Sequence, residues 1–89
     1  MSETATPAKI SVHVRLFASY REAAGVSQLE TSLIEGASVS DLVDLLSERL
    51  PALRATRGLI AVNHEYVSSD AVLQHGDEVA LIPPVSGGA

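Results

Sequence analysis

Ser38-Val39-Ser40-Asp41-Leu42-Val43-Asp44-Leu45-Leu46-Ser47-Glu48-Arg49-Leu50-Pro51 is the stretch that decides the fold. Val39, Leu42, Val43, Leu46 and Leu50 recur at helical spacing and share one face, while Ser40, Asp44, Ser47 and Glu48 lie off that stripe. Ser38 stands where a helix needs an N-terminal cap. Asp41, three residues on, occupies the capping-box position, although it is shorter than the usual Glu or Gln. Pro51 lacks an N–H and stops the helix, so the pattern predicts a helix over Val39 to Leu50. A helix with a single apolar stripe buries one face and needs something to bury it against.

The flanking sequence supplies a sheet. Upstream, Ile10, Val12, Val14 and Leu16 alternate with Ser11, His13 and Arg15, the period-2 signature of a strand with one buried face. Ala18 to Ala24 is helix-compatible, with Gly25 placed to end it. Gln28 to Leu33 alternates again, and Gly36 marks a turn. Downstream, Leu59 to Val62 reads as a strand entering a turn at Asn63-His64, where Asn63 tolerates left-handed geometry. Tyr66-Val67 reads as a brief return strand. Gly76-Asp77 signals a turn before Glu78 to Ile82, the last strand. The expected architecture is a single α+β domain, a small mixed sheet packed on one main helix. Its expected divisions are a leader over 1–9, the folded domain over 10–82, and an extended tail over 83–89.

Composition narrows the chemistry. The chain has 89 residues, no cysteine, three aromatic residues and a formal charge of −5. Without cysteine it has no disulfide framework, no thiolate zinc site and no thiol nucleophile. Eleven acidic residues against six basic ones argue against a nucleic-acid partner, because phosphates demand a clustered basic face. No apolar run approaches the roughly 20 residues of a membrane span. MSETATPAK at the start lacks the apolar core of a signal peptide, so a cytoplasmic domain without a membrane partner is the expectation. His13, His64 and His75 match no metal-ligand spacing and read as surface or turn histidines, so no metal is expected. Asp70, Asp77 and Glu78 read as solvated turn carboxylates rather than acid–base residues.

The C-terminal segment Pro83-Pro84-Val85-Ser86-Gly87-Gly88-Ala89 abandons regular structure. Neither proline can donate to a sheet ladder, so they end the strand and hold the chain extended. Gly87 and Gly88 carry no side-chain bulk and let a backbone enter a narrow channel. Phe17 continues the first strand on the side opposite Ile10, Val12, Val14 and Leu16. If Val79 and Leu81 face the core, Ala80 and Ile82 face outward with it.

Val14-Arg15-Leu16-Phe17-Ala18, followed by Arg21-Glu22-Ala23-Ala24-Gly25, resembles the opening of the molybdopterin synthase small-subunit family. Ala61-Val62-Asn63, Val67, Gly76-Asp77-Glu78-Val79-Ala80 and Pro83-Pro84-Val85-Ser86-Gly87-Gly88 resemble that family's second half in order and spacing. A terminal Gly-Gly alone is weak evidence, being common to ubiquitin-like proteins; the longer combination is much more specific. The resemblance spans about residues 10–88 and implies a ubiquitin-like β-grasp fold. It also implies a sulfur carrier that is not an enzyme by itself. In the scheme that the resemblance implies, an ATP-dependent, ubiquitin-activating-like adenylyltransferase adenylates the carboxylate of Gly88, and sulfur replaces AMP to give a thiocarboxylate. The tail then enters the large synthase subunit, where sulfur passes to cyclic pyranopterin monophosphate in molybdenum cofactor biosynthesis. The implied assembly is a heterotetramer in which two small subunits flank a large-subunit dimer. No cofactor is expected on the chain itself. In a β-grasp sheet the first and last strands are neighbours, so Phe17, Ala80 and Ile82 are expected to form an apolar partner site. Pro83, Pro84, Val85 and Ser86 extend that site towards Gly87 and the reactive Gly88.

Ala89 departs from the family, because it holds the Gly88 carbonyl in an amide. Three readings stand: a precursor residue removed by a peptidase, an added or engineered block, or a chain whose carrier function is lost or altered. Other functions also stand beside the leading one. They are a sulfur carrier for thiamine, cysteine or tRNA thiolation, a ubiquitin-like protein modifier, and a β-grasp interaction module without transfer chemistry. Lys9 is the only lysine, which argues against chain building on this protein but not against attachment of Gly88 to lysines elsewhere.

Overall fold

In the computed structural model, residues 8–51, 53 and 58–84 are described. The element order is β1 (Lys9–Leu16), α1 (Ala18–Ala24), β2 (Gln28–Ile34), α2 (Val39–Ser47), β3 (Leu59–Val62), β4 (Glu65–Tyr66) and β5 (Glu78–Ile82). The five strands form one mixed sheet in the order β2-β1-β5-β3-β4. β1 runs antiparallel to β2 and parallel to β5, and β3 runs antiparallel to both β5 and β4. This is the strand–helix order read from the sequence, and it is the ubiquitin-like β-grasp.

Alternation decides which face is buried. Ile10, Val12, Val14 and Leu16 of β1 join Val79 and Leu81 of β5 in the core, which α2 completes with Val39, Leu42 and Leu46. Tyr20 anchors α1 in the same cluster and Leu73 fills it from the loop before β5; neither was marked by sequence periodicity. Gly25 ends α1 at φ 80°, and its N–H donates to the Arg21 carbonyl. That left-handed conformation is open to glycine at no steric cost.

The main helix is shorter than its apolar stripe. Its regular turns end at Ser47, because the Arg49 and Leu50 N–H groups both donate to the Leu46 carbonyl and the hydrogen-bond ladder stops advancing. Leu50 is nonetheless buried, as the stripe required. Ser47, which the stripe left outside, is buried too; its hydroxyl donates to the Asp44 carbonyl and so meets no unpaired cost there. The short Asp41 closes a complete capping box. Ser38 Oγ accepts from the Asp41 N–H at 3.2 Å, and Asp41 Oδ2 accepts from the Ser38 N–H at 2.9 Å. Loop carbonyls satisfy two further helix-start donors, Val39 N–H on Ala71 and Ser40 N–H on Ser69.

The return strand is displaced by one residue from its expected Tyr66-Val67 position. Asn63 (φ 52°) and His64 (φ 73°) are both left-handed, forming a two-residue hairpin turn that pairs Val62 with Glu65 and Ala61 with Tyr66. Among the described residues, no helix is long and apolar enough to cross a membrane.

Replacing Ser38 by Ala should lower stability by about 1 kcal/mol through loss of the cap. Urea denaturation should show a lower midpoint with an unchanged slope.

Candidate functional site

Strand register builds a site on the sheet face turned away from α2. Arg15 of β1 lies opposite Ala80 of β5, Ala80 opposite Ala61 of β3, and Ala61 opposite Tyr66 of β4. In the next row Leu59 lies opposite Ile82. Phe17 extends β1 into that row, its N–H donating to the Leu81 carbonyl at 3.3 Å. A left-handed Ala18 (φ 50°) then turns the chain sharply into α1.

The result is a shallow depression of about 280 Å³ with alanines on its floor and Phe17, Ile82, Tyr66, Arg15, His64 and Glu78 around it. Phe17, Ala80 and Ile82 are therefore brought together as the sequence suggested. Phe17 is 38% exposed, Leu59 55% and Tyr66 69%, three uncovered side chains on one face of the sheet. Sequence reading missed Leu59, Ala61 and Tyr66. The signal was present in Asn63-His64, since a two-residue turn fixes which β4 residue faces Ala61.

One rim of the depression is charged. Arg15 lies 3.2 Å from Glu78, and its guanidinium carbon sits 5.6 Å from the Phe17 ring centroid. Stacking of this kind contributes about 0.5–1 kcal/mol at an exposed site, and the partly exposed ion pair adds about 0–1 kcal/mol. Arg15 thus contacts both Phe17 and Glu78 on this rim. His64 Nε2 lies 3.8 Å from the other Glu78 oxygen.

The turn carboxylates have structural work. Asp77 accepts from the Asn63 side-chain amide and from the Gln74 N–H, and the Glu78 N–H donates to the Asn63 side-chain oxygen. Asp70 bonds the Ser68 hydroxyl. His75 Nδ1 accepts from the Ser11 N–H at 3.0 Å, and the His13 ring bonds Gln28. The Asp77 and Asn63 bonds brace the β5 entry, and among the described residues no set of three groups could hold a metal ion.

Pro83 is half-buried and Pro84 exposed at the exit of β5. Val85, Ser86, Gly87, Gly88 and Ala89 lie outside the described residues. Gly58 supports that exit. A Cβ there would overlap the Ile82 carbonyl oxygen and lie 2.9 Å from its carbon and 3.0 Å from the Pro83 Cα. Only glycine lets the segment before β3 pass this close to the base of the tail. The geometry offers a largely apolar depression next to Pro83, where β5 ends.

Comparison with known proteins agrees with this geometry. The ThiS family pattern matches residues 14–88. The molybdopterin synthase sulfur carrier subunit of Arabidopsis thaliana is 36% identical over 88 residues, covering 97% of this chain and 92% of the relative. The solution structure of small archaeal modifier protein 1 from Methanosarcina acetivorans superposes with a TM-score of 0.76 at 30% identity, covering 91% of this chain and 99% of that one. A chain from the complex of subunits 1 and 2 of the molybdopterin-converting factor of Helicobacter pylori gives a TM-score of 0.62 at 27% identity, covering 89% and 100%.

Replacing Gly58 by Ala should cost about 1–3 kcal/mol, the usual range for overpacking. Amide chemical shifts should move at Leu81 and Ile82 more than in α2.

Proposed function

The chain belongs to the ThiS family and is similar to molybdopterin synthase sulfur carrier subunits; from that premise we propose that it donates sulfur from Gly88. The observation that carries the proposal is the apolar depression lying at the exit of the strand that leads into Pro83-Pro84-Val85-Ser86-Gly87-Gly88. A partner that covers the depression receives the tail next to it.

Chemistry follows from the free carboxyl of Gly88. A carboxylate is a poor electrophile. Its oxygen attacks the α-phosphorus of ATP on an adenylyltransferase, pyrophosphate leaves, and the acyl-adenylate carries a good leaving group. A sulfur donor displaces AMP, and the thiocarboxylate that results is a nucleophile on an extended arm. Acid–base groups and ATP sites belong to the partners, so this chain's task is positioning, which can supply several kcal/mol of a barrier. The sulfur acceptor is cyclic pyranopterin monophosphate on the large synthase subunit. A partner subunit is supported by the Helicobacter pylori neighbour, whose structure is a complex of two subunits. The heterotetramer and a cytoplasmic location complete the reading.

Ala89 blocks this chemistry until the Gly88–Ala89 peptide bond is hydrolysed. A chain ending at Gly88, once thiocarboxylated, should convert the cyclic pterin to molybdopterin with the cognate large subunit; the chain retaining Ala89 should not. Absence of turnover by the shorter chain would overturn the proposal. Phe17→Asp should weaken large-subunit binding by about 1–2 kcal/mol, roughly 5- to 30-fold, while leaving the fold intact by circular dichroism. Unchanged affinity would remove the depression from the interface.

A second reading, protein modification through an isopeptide bond at Gly88, is favoured by the likeness to the archaeal modifier protein. Lysine-linked conjugates in cell lysate would support it over pterin sulfuration.

A further inference from the structure

β2 is an edge strand whose outer side is open. The Leu16 N–H donates to the Ser27 carbonyl at 2.8 Å, and the Glu35 N–H donates to the Ala8 carbonyl at 2.9 Å. Alternation between these two points assigns the backbone groups of Leu29, Thr31 and Leu33 to β1. Those of Gln28, Glu30 and Ser32 therefore point away from the sheet, and among the described residues they meet no other strand. An open row of donors and acceptors is a template for another extended backbone.

Beside that row lies an apolar groove of about 560 Å³ between β2 and α2. Leu29 and Thr31 form one wall, and Leu45, Leu46 and Leu50 form the other. Leu45 is 43% exposed, and Val26, at the near end, is 47% exposed. The groove runs on past Ser32 and Leu45 towards Ile34, where Glu35 and Asp41 line it. Charge is uneven along its length. The near end has both Glu30 and Arg49 among its lining residues, whereas the far end carries two carboxylates and no cation among its own.

We propose that the β2 edge and this groove dock an extended peptide segment of a partner protein as an antiparallel sixth strand. Each feature fixes one property of the occupant. The open backbone groups require an extended chain, and the apolar walls take aliphatic side chains at alternate positions. The Glu35–Asp41 end selects basic residues. Antiparallel addition puts the peptide's N-terminus at that end, so the segment begins with lysine or arginine and continues with alternating aliphatic residues. None of the groove's lining residues is shared with the Phe17 depression. The segment can thus bind while the depression is covered, and the inference does not depend on the sulfur-carrier reading.

A suitable probe is an acetylated eight-residue peptide of two lysines followed by alternating isoleucine and threonine, titrated into the full chain and followed by amide chemical shifts. Shifts should concentrate in Gln28–Ile34 and α2 and leave Ala80 and Ile82 unmoved. Exchanging the two lysines for glutamates should weaken binding by about fivefold or more at low salt. Leu45→Lys, at an exposed helix position, should weaken it about tenfold. Ser32→Pro, which removes an outward N–H, should abolish it. No binding at millimolar peptide, shifts centred on the depression, equal binding by the glutamate peptide, or undiminished binding by folded Leu45→Lys would each overturn the proposal. So would self-association of the chain through β2 in place of peptide binding.

Discussion

His13 with Glu78, Val14 with Val79, Arg15 with Ala80 and Leu16 with Leu81 join the first and last strands in parallel. These pairs bring the two ends of the folded chain to the middle of the sheet. Val14 and Val79 are completely buried and Leu16 and Leu81 nearly so, which makes this seam the centre of the core. Each buried aliphatic side chain contributes about 1.5–3 kcal/mol relative to exposure. A parallel pair cannot be closed by a tight turn, and everything between β1 and β5 is the crossover that makes it possible. The other face of the same pairs carries Arg15, Ala80 and Glu78, and the next position along carries Phe17 beside Ile82. One interaction thus holds the core, builds the apolar depression and fixes where the chain leaves the sheet at Pro83.

Locks at both ends keep the seam in register. At the β5 entry, the His13 N–H donates to the Asp77 carbonyl, and the Gly76 N–H donates to that of Ser11. Asn63 ties the β3–β4 hairpin to the same point through its side chain. At the exit, Gly58 lets the chain before β3 pass against Ile82 and Pro83. A one-residue slip would move Ala80 and Ile82 into the core and expel Val79 and Leu81. The apolar depression therefore exists only because the register is held.

Much of this was legible in the sequence, for identifiable reasons. Alternation in Ile10–Leu16 and the stripe in Val39–Leu50 report burial directly, and burial is what periodicity measures. Phe17, Ala80 and Ile82 could be grouped because the β1–β5 adjacency followed from the family resemblance. Tyr20 and Leu73 were invisible, since each fills the core from a short helix or loop with no period. Leu59, Ala61 and Tyr66 joined the face through the β3–β5 and β3–β4 registers, which are pairings between strands rather than a period within one. Gly58 was overlooked because its role is a contact with residues far along the chain.

The proposed sulfur chemistry resides on a backbone carboxyl rather than on a side chain. Intact mass spectrometry tests it directly, using the chain ending at Gly88 with its adenylyltransferase, ATP and a sulfur donor. The predicted result is a mass gain equal to the exchange of one oxygen for sulfur, located at Gly88 by fragmentation and lost on hydrolysis. An unchanged mass under conditions that charge a related carrier, or sulfur found on any other residue, would contradict it.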